Sequence, residues 1–154
     1  MKKYILILSL IVAAFSSCKK DDNFDANAQA TKDEADIQAY LKANPSINAT
    51  KDANGVYYQV ISEGTGANPN ANSTVTVNYI GKLLDGSQFD AGTGFRSALS
   101  SVVKGWQFGV PHVKAGGRIL LIIPSALGYG NTSPGAGIPK NSVLVFTIDL
   151  LSIN

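Results

Sequence analysis

The side chains available for chemistry are few, and their types narrow the possible reactions at once. Nucleophilic catalysis needs an activated Ser, Cys or Lys with a base in reach, yet the chain holds a single histidine, His112, with no cysteine or recognisable acidic triad around it. His112 therefore reads as a loop or surface residue. One histidine, one cysteine and scattered acids supply no metal-ligand cluster, so no metal is expected. Gly-x-Gly pairs begin at Gly64, Gly92, Gly128 and Gly135. None has the further glycine, three residues on, that a dinucleotide fingerprint requires, and no cofactor is expected. What remains is aromatic and apolar: Tyr79, Phe89, Trp106, Tyr129 and Phe146. Taken singly, each such residue is more often plain core, so their meaning rests on the elements that carry them.

Those elements read mainly as strands and turns. Segment 74–83 alternates, with Val75, Val77, Tyr79 and Leu83 opposite Thr74, Thr76, Asn78 and Lys82, as in a half-buried antiparallel strand. Segment 55–62 alternates through Val56, Tyr58 and Val60. Asp85-Gly86 signals a turn, after which Gln88-Phe89-Asp90 resumes the ladder. Ile119 to Ile123 is a continuous apolar run ended by Pro124, suited to a central strand, and Val143 to Leu151 alternates again to close the sheet. Between them Val102, Val103, Trp106 and Val110 fall at roughly helical spacing, so one short helix should lie on the sheet, weakened by Gly105 and Gly109. The glycine-rich stretch 128–141 is long enough for a functional loop. Together these elements give an α+β fold, an antiparallel sheet with a helix on one face.

Composition agrees with one domain: 154 residues, 45% hydrophobic, only 16% charged, with 15 glycines and 6 prolines, favour a turn-rich β architecture. The first residues belong to targeting. Lys2 and Lys3 precede an apolar run from Tyr4 to Phe15, which has the length of a signal-peptide core and is short for a bilayer span. Ser16-Ser17-Cys18 then resembles a bacterial lipobox, with Phe15 where a leucine is usual, so Cys18 is the expected lipidation site and the lipid the expected membrane anchor. The reading points to a cell-envelope protein on the outer membrane. The charged run Lys19-Lys20-Asp21-Asp22 suits either a surface-export tag or a solvated tether.

Without Lys2 and Lys3 the basic residues fall from 13 to match the 11 acids, a neutral balance that argues against a nucleic-acid partner. Segment 19–30 is poor in large apolar residues and reads as tether. Thr31-Lys32-Asp33-Glu34 fits a capping box, Ile37, Tyr40 and Leu41 share a helical face, and Asn44-Pro45 ends that helix. The expected division is a signal peptide over 1–17, a lipidated cysteine and flexible tether over 18–30, a short helix over 31–45, and the main domain over 50–154.

Several ordered stretches of that domain resemble the FKBP family of peptidyl-prolyl cis-trans isomerases. They are Val75-Thr76-Val77-Asn78-Tyr79-Ile80-Gly81, Leu84-Asp85-Gly86-Ser87-Gln88-Phe89-Asp90, Val102-Val103-Lys104-Gly105-Trp106, Ile123-Pro124-Ser125-Ala126-Leu127-Gly128-Tyr129-Gly130, Gly137-Ile138-Pro139 and Val143-Leu144-Val145-Phe146. The resemblance runs over about residues 55 to 153. It implies a bent antiparallel sheet wrapped around one short helix, with the pocket between them. It implies Trp106 as the floor under a prolyl ring, Tyr79, Phe89, Val102, Val103 and Phe146 as walls, and Tyr129 as a rim hydroxyl donor. It further implies Asp90 as the pocket carboxylate, the Val103 amide as a backbone donor, and Ile138 as an apolar contact from the long loop. The implied partners are proline-containing polypeptides and the macrolide inhibitors of the family. The implied role is assistance to the folding of exported or envelope proteins.

The chain departs from the family at Phe95-Arg96-Ser97-Ala98-Leu99, where Ser97 stands at a position that commonly carries an aromatic. Either Phe95 substitutes for it from two residues away or the pocket wall is thinner there. Two competing readings are an FKBP-like module that holds peptides without turnover, and a structural surface lipoprotein whose aromatic residues are all core.

Overall fold

The computed structural model describes residues 24–135 and 137–154. The signal peptide over 1–17, Cys18 and the start of the tether lie outside the described residues. The described chain runs α1 (Ala26–Ala43), β1 (Thr50–Lys51), β2 (Tyr57–Ser62), β3 (Thr74–Leu83), β4 (Gln88–Ala98), α2 (Lys104–Gly109), β5 (Arg118–Ile123) and β6 (Leu144–Ile153). Single 3₁₀ turns occupy Leu99–Ser101, Val110–His112 and Ser125–Leu127. The six strands form one antiparallel sheet in the order β1-β2-β5-β6-β3-β4. The α+β expectation therefore holds.

Alternation along the strands divides the core between two faces. On the inner face Val75, Val77, Ile119, Leu121, Ile123, Leu144, Phe146, Ile148 and Leu150 pack with Trp106 and Val110 from α2 and the turn after it. On the outer face Ile37 of α1 packs with Tyr57, Ile122, Val143 and Val145, with Tyr40 and Leu41 at the edge. The run Ile119 to Ile123 lacks alternation because β5 sits between β2 and β6 and is covered on both sides.

α1 begins earlier than the sequence suggests. Asp25 is its N-cap, accepting from the amides of Asn27 at 2.9 Å and Ala28 at 3.0 Å. Thr31 is not a cap; it lies inside the helix, and its hydroxyl donates to the Asn27 carbonyl at 2.9 Å. Residues 26–30, assigned to the tether, are thus helical. Ala-Asn-Ala-Gln-Ala has little apolar periodicity, but its alanines carry the best intrinsic helix propensity. The C-terminal limit is as expected, with Asn44 capping the helix before Pro45.

Glu34, freed from any capping role, instead accepts from the Tyr57 hydroxyl at 2.5 Å and the Lys51 ammonium at 2.8 Å. Lys51 first and the Tyr57 hydroxyl second hold its carboxyl down at about 2. Because the group is partly solvated, this pairing aligns α1 on β1 and β2 more than it stabilises the fold.

α2 is shorter than the spacing of Val102, Val103, Trp106 and Val110 implies. It spans only Lys104–Gly109, with Val103 in the cap position and Val102 outside it. Val110-Pro111-His112 continues as a tight 3₁₀ turn, since Pro111 lacks the amide that an α-helix interior needs. Gly105 and Gly109 weaken the helix but let it approach β5 closely. A Cβ on Gly105 would lie 2.3 Å from the Ile123 side chain, and one on Gly109 would lie 2.6 Å from that of Leu121.

Candidate active site

The close seat of α2 on the sheet decides where Trp106 goes. Following Gly105 directly, it is only 4% exposed and meets two strand residues edge to face: Tyr79 at 5.2 Å between centroids and Phe146 at 5.2 Å. Tyr79 belongs to β3 and Phe146 to β6, and these strands are neighbours in the sheet. Phe95 from β4 closes on Tyr79 at 5.7 Å, again edge to face. The Trp106 indole N–H is buried and meets no acceptor among the described residues.

These rings surround a cleft of about 290 Å3 lined by Tyr79, Asp90, Phe95, Ser101, Val102, Val103, Trp106, Tyr129 and Phe146. It sits at the lower end of ligand-pocket sizes, suited to a ring and its flanking amides rather than a large cofactor. A larger hollow of about 630 Å3 lies on the outer face of the sheet. Arg118 and Asp149 there already satisfy each other, with a bond from the guanidinium at 2.9 Å, Lys82 is its remaining charged residue, and no cluster of rings converges there.

A β-bulge brings the carboxylate to the cleft. In the β3–β4 ladder Gly81 pairs with Asp90 and Lys82 with Gln88, leaving Phe89 as an extra residue without a partner. Strict alternation would send Phe89 and Asp90 to opposite faces. The bulge lets both turn inward. Phe89 packs edge to face on Phe146 at 5.5 Å, and Asp90 accepts from the Tyr79 hydroxyl at 2.7 Å. Burial, then the bond to Asp90, pushes the Tyr79 phenol up to about 12. Tyr79 thus remains a protonated donor across the physiological range. The other Asp90 oxygen accepts from the Ala91 amide at 2.9 Å, so the carboxylate is held from two sides.

Most of the site residues named from the sequence meet at this cleft: Tyr79, Asp90, Val102, Val103, Trp106, Tyr129 and Phe146 all line it. Two do not. Phe89 stands behind Phe146 and supports that wall, because its side chain fills the space over Gly81 rather than the cleft. Ile138 is 5% exposed within the inner core, where its amide donates to the Gly135 carbonyl at 3.0 Å, and it anchors the long loop instead of lining the cleft.

At the departure from the family pattern, Phe95 lines the cleft and Ser97 does not. The Ser97 hydroxyl donates to the Ala98 carbonyl at 3.1 Å. Ser101 also lines the cleft and was not singled out from the sequence; nothing in its residue type or spacing marks it. Val103, as the cap of α2, accepts from the Trp106 amide at 3.0 Å, and its own N–H precedes the helix's hydrogen-bond ladder. Tyr129 is 39% exposed on the loop that follows the Ser125–Leu127 turn.

Comparison with known proteins places this geometry. The profile of the FKBP-type peptidyl-prolyl cis-trans isomerase family matches residues 66–151, a span that holds every residue lining the cleft. The FKBP-type peptidyl-prolyl cis-trans isomerase FkpA of Escherichia coli K12 is 39% identical over 137 residues, covering 83% of this chain and 50% of the relative. The peptidyl-prolyl cis-trans isomerase Mip of Coxiella burnetii is 36% identical, covering 75% of this chain and 53% of the relative. The chain thus spans about half the length of these curated relatives. Among solved structures, a peptidyl-prolyl cis-trans isomerase from Pseudomonas syringae pv. tomato superposes with a TM-score of 0.73 at 30% identity, covering 86% of this chain and 98% of that one. The crystal structure of FkpA from Escherichia coli gives 0.71 at 36% identity, covering 83% and 62%. With rings, bulge, carboxylate and short helix all inside the matched span, the chain belongs to the FKBP-type peptidyl-prolyl cis-trans isomerase family.

Proposed function

We propose that this protein is a peptidyl-prolyl cis-trans isomerase that assists the folding of exported or envelope polypeptides from a lipid-anchored position. The observation that carries the reading is the edge-to-face set of Tyr79, Trp106 and Phe146 around a small cleft with one carboxylate at its edge. Rotation about an X-Pro bond breaks no covalent bond. Its barrier, roughly 18–20 kcal/mol for a peptide bond, is the resonance lost when the amide twists. A catalyst needs only to hold the twisted amide better than the planar one.

Trp106 forms the floor under the prolyl ring, and Tyr79, Phe95, Phe146, Val102 and Val103 enclose it, while Phe89 backs Phe146. The apolar walls exclude water and disfavour the polar planar amide. Asp90 and Tyr79 hold each other in orientation beside the rotating carbonyl. The Val103 amide and the Tyr129 hydroxyl serve as donors towards the peptide, where donors placed for the twisted form act selectively. Ile138 acts indirectly, by anchoring in the core the loop that follows Tyr129. The same apolar walls suit the macrolide inhibitors of the family. Uncatalysed isomerisation takes tens to hundreds of seconds, long enough to limit folding outside the cytoplasm.

Turnover of a proline-containing tetrapeptide tests the reading. Fast isomerisation supports the enzyme, binding without turnover indicates a peptide-holding module, and neither indicates a structural role. Tyr129→Phe is expected to lower kcat by about two- to tenfold, the effect of one hydrogen bond, with the fold intact by circular dichroism. Wild-type rates in that variant would remove the hydroxyl from the mechanism.

The anchor is Cys18, following the basic and apolar leader and the Ser16-Ser17 pair, and the outer membrane is its proposed location. Among the described residues no helix is long and apolar enough to cross a membrane. Cys18→Ser should move the protein from the membrane fraction to the soluble one on cell fractionation. Retention with membranes would contradict lipid attachment.

A further inference from the structure

α1 packs on the outer face of the sheet, away from the cleft, yet it sends one carboxyl group into the interior. Asp33 is 2% exposed, and one Oδ accepts from both the amide of Ser125 at 2.8 Å and its hydroxyl at 2.6 Å. The other accepts from the Gln29 side chain at 2.7 Å. A carboxyl group buried this deeply is tolerated only with such donors around it. Docking α1 does not require it, because Ile37 and the Glu34 pairings already join the helix to the sheet.

Ser125, 1% exposed, is the junction. Its carbonyl accepts from the amides of Gly128 at 3.0 Å and Gly130 at 2.8 Å, the two residues that flank Tyr129. Gly130 in turn accepts from the Asn141 amide at 2.8 Å, closing the base of the long loop. A continuous hydrogen-bonded path therefore leads from α1 through one serine to both sides of the rim tyrosine. We propose that Asp33 is a positioning residue for Tyr129: by gripping Ser125 it sets the turn that presents the phenol to the cleft, which makes α1 a working part of the catalytic domain. The proposal rests on the reading of Tyr129 as the rim donor.

The test uses the full chain with Asp33→Asn and, as a milder second variant, Ser125→Ala, each alone and combined with Tyr129→Phe. In the wild-type background Asp33→Asn is expected to lower kcat by about two- to tenfold with KM little changed, approaching the effect of Tyr129→Phe. In the Tyr129→Phe background it should lower kcat no further, since residues acting through one group are not additive. Equal losses in both backgrounds, or wild-type kcat in both single variants, would overturn the proposal. Amide hydrogen exchange supplies a readout independent of turnover: Gly128 and Gly130 should exchange faster in Asp33→Asn and Ser125→Ala, and at the wild-type rate in Tyr129→Phe. Unchanged exchange at these glycines overturns the positioning role even if the protein is an isomerase. A wild-type chain that shows no turnover while the glycines do respond would instead refute the isomerase reading and leave the path from α1 to the rim standing.

Discussion

Replacing Trp106 with leucine is expected to lower kcat/KM for a proline tetrapeptide by about ten- to a hundredfold while the chain stays folded. Leucine keeps an apolar group in the buried floor but loses the broad ring face and both edge-to-face contacts, with Tyr79 and with Phe146. Each such contact contributes about 0.5–1.5 kcal/mol beyond area burial, and their loss frees the two wall rings to shift. Those rings come from β3 and β6, whose backbone ladder remains, so the damage should stay inside the cleft. The binding proposed for the family's macrolide inhibitors, followed by calorimetry, should weaken in parallel. In the wild type the proposed binding should be readable from fluorescence of the single tryptophan. Undiminished affinity in the variant would place the pocket elsewhere.

Gly105→Ala is expected to destabilise the fold by about 1–3 kcal/mol and to reduce turnover with it. Two effects oppose here. Alanine is favoured over glycine by about 1 kcal/mol in a helix interior, though by less near the first turn of a six-residue helix. Against that, the added Cβ would sit 2.3 Å from Ile123, a fully buried and β-branched side chain with little room to rotate. The clash should win, tilting α2 away from β5 and carrying Trp106 with it. Chemical denaturation checks the stability and the tetrapeptide assay the turnover. The cause is checked by Ile123→Ala, which removes the three Ile123 atoms nearest the new methyl. On its own it should cost about 2–5 kcal/mol for the cavity, but the double variant should cost clearly less than the two single losses together. Strict additivity would show that the glycine serves some purpose other than close approach.

The alternation of Val75, Val77 and Tyr79 was enough to find β3, and the turn at Asp85-Gly86 to find the hairpin into β4, because a strand's inward face repeats every second residue and needs no knowledge of its partners. Resemblance added the rings and the carboxylate, most of which converge on one cleft. The misplaced features share a physical origin. The start of α1 was hidden because alanine-rich propensity leaves no apolar stripe, and Thr31 imitated a cap that Asp25 provides. Gly105 and Gly109 looked like weaknesses in a helix, since only the facing side chains of Ile123 and Leu121 give them a purpose.

Residue order and type alone were sufficient for the strand pattern, the turn signal at Asp85-Gly86 and the end of α1 before Pro45, all of which follow from neighbours a few positions apart, whereas the roles of the rings came from resemblance. The three-dimensional arrangement was needed to show that Phe89 and Asp90 turn to the same side through a bulge, that Phe95 rather than Ser97 lines the cleft, and that Asp33 reaches Ser125. Those outcomes depend on strand register and on how closely the two helices seat against opposite faces of the sheet. Such relations join residues as far as 92 positions apart and leave no local periodicity to read.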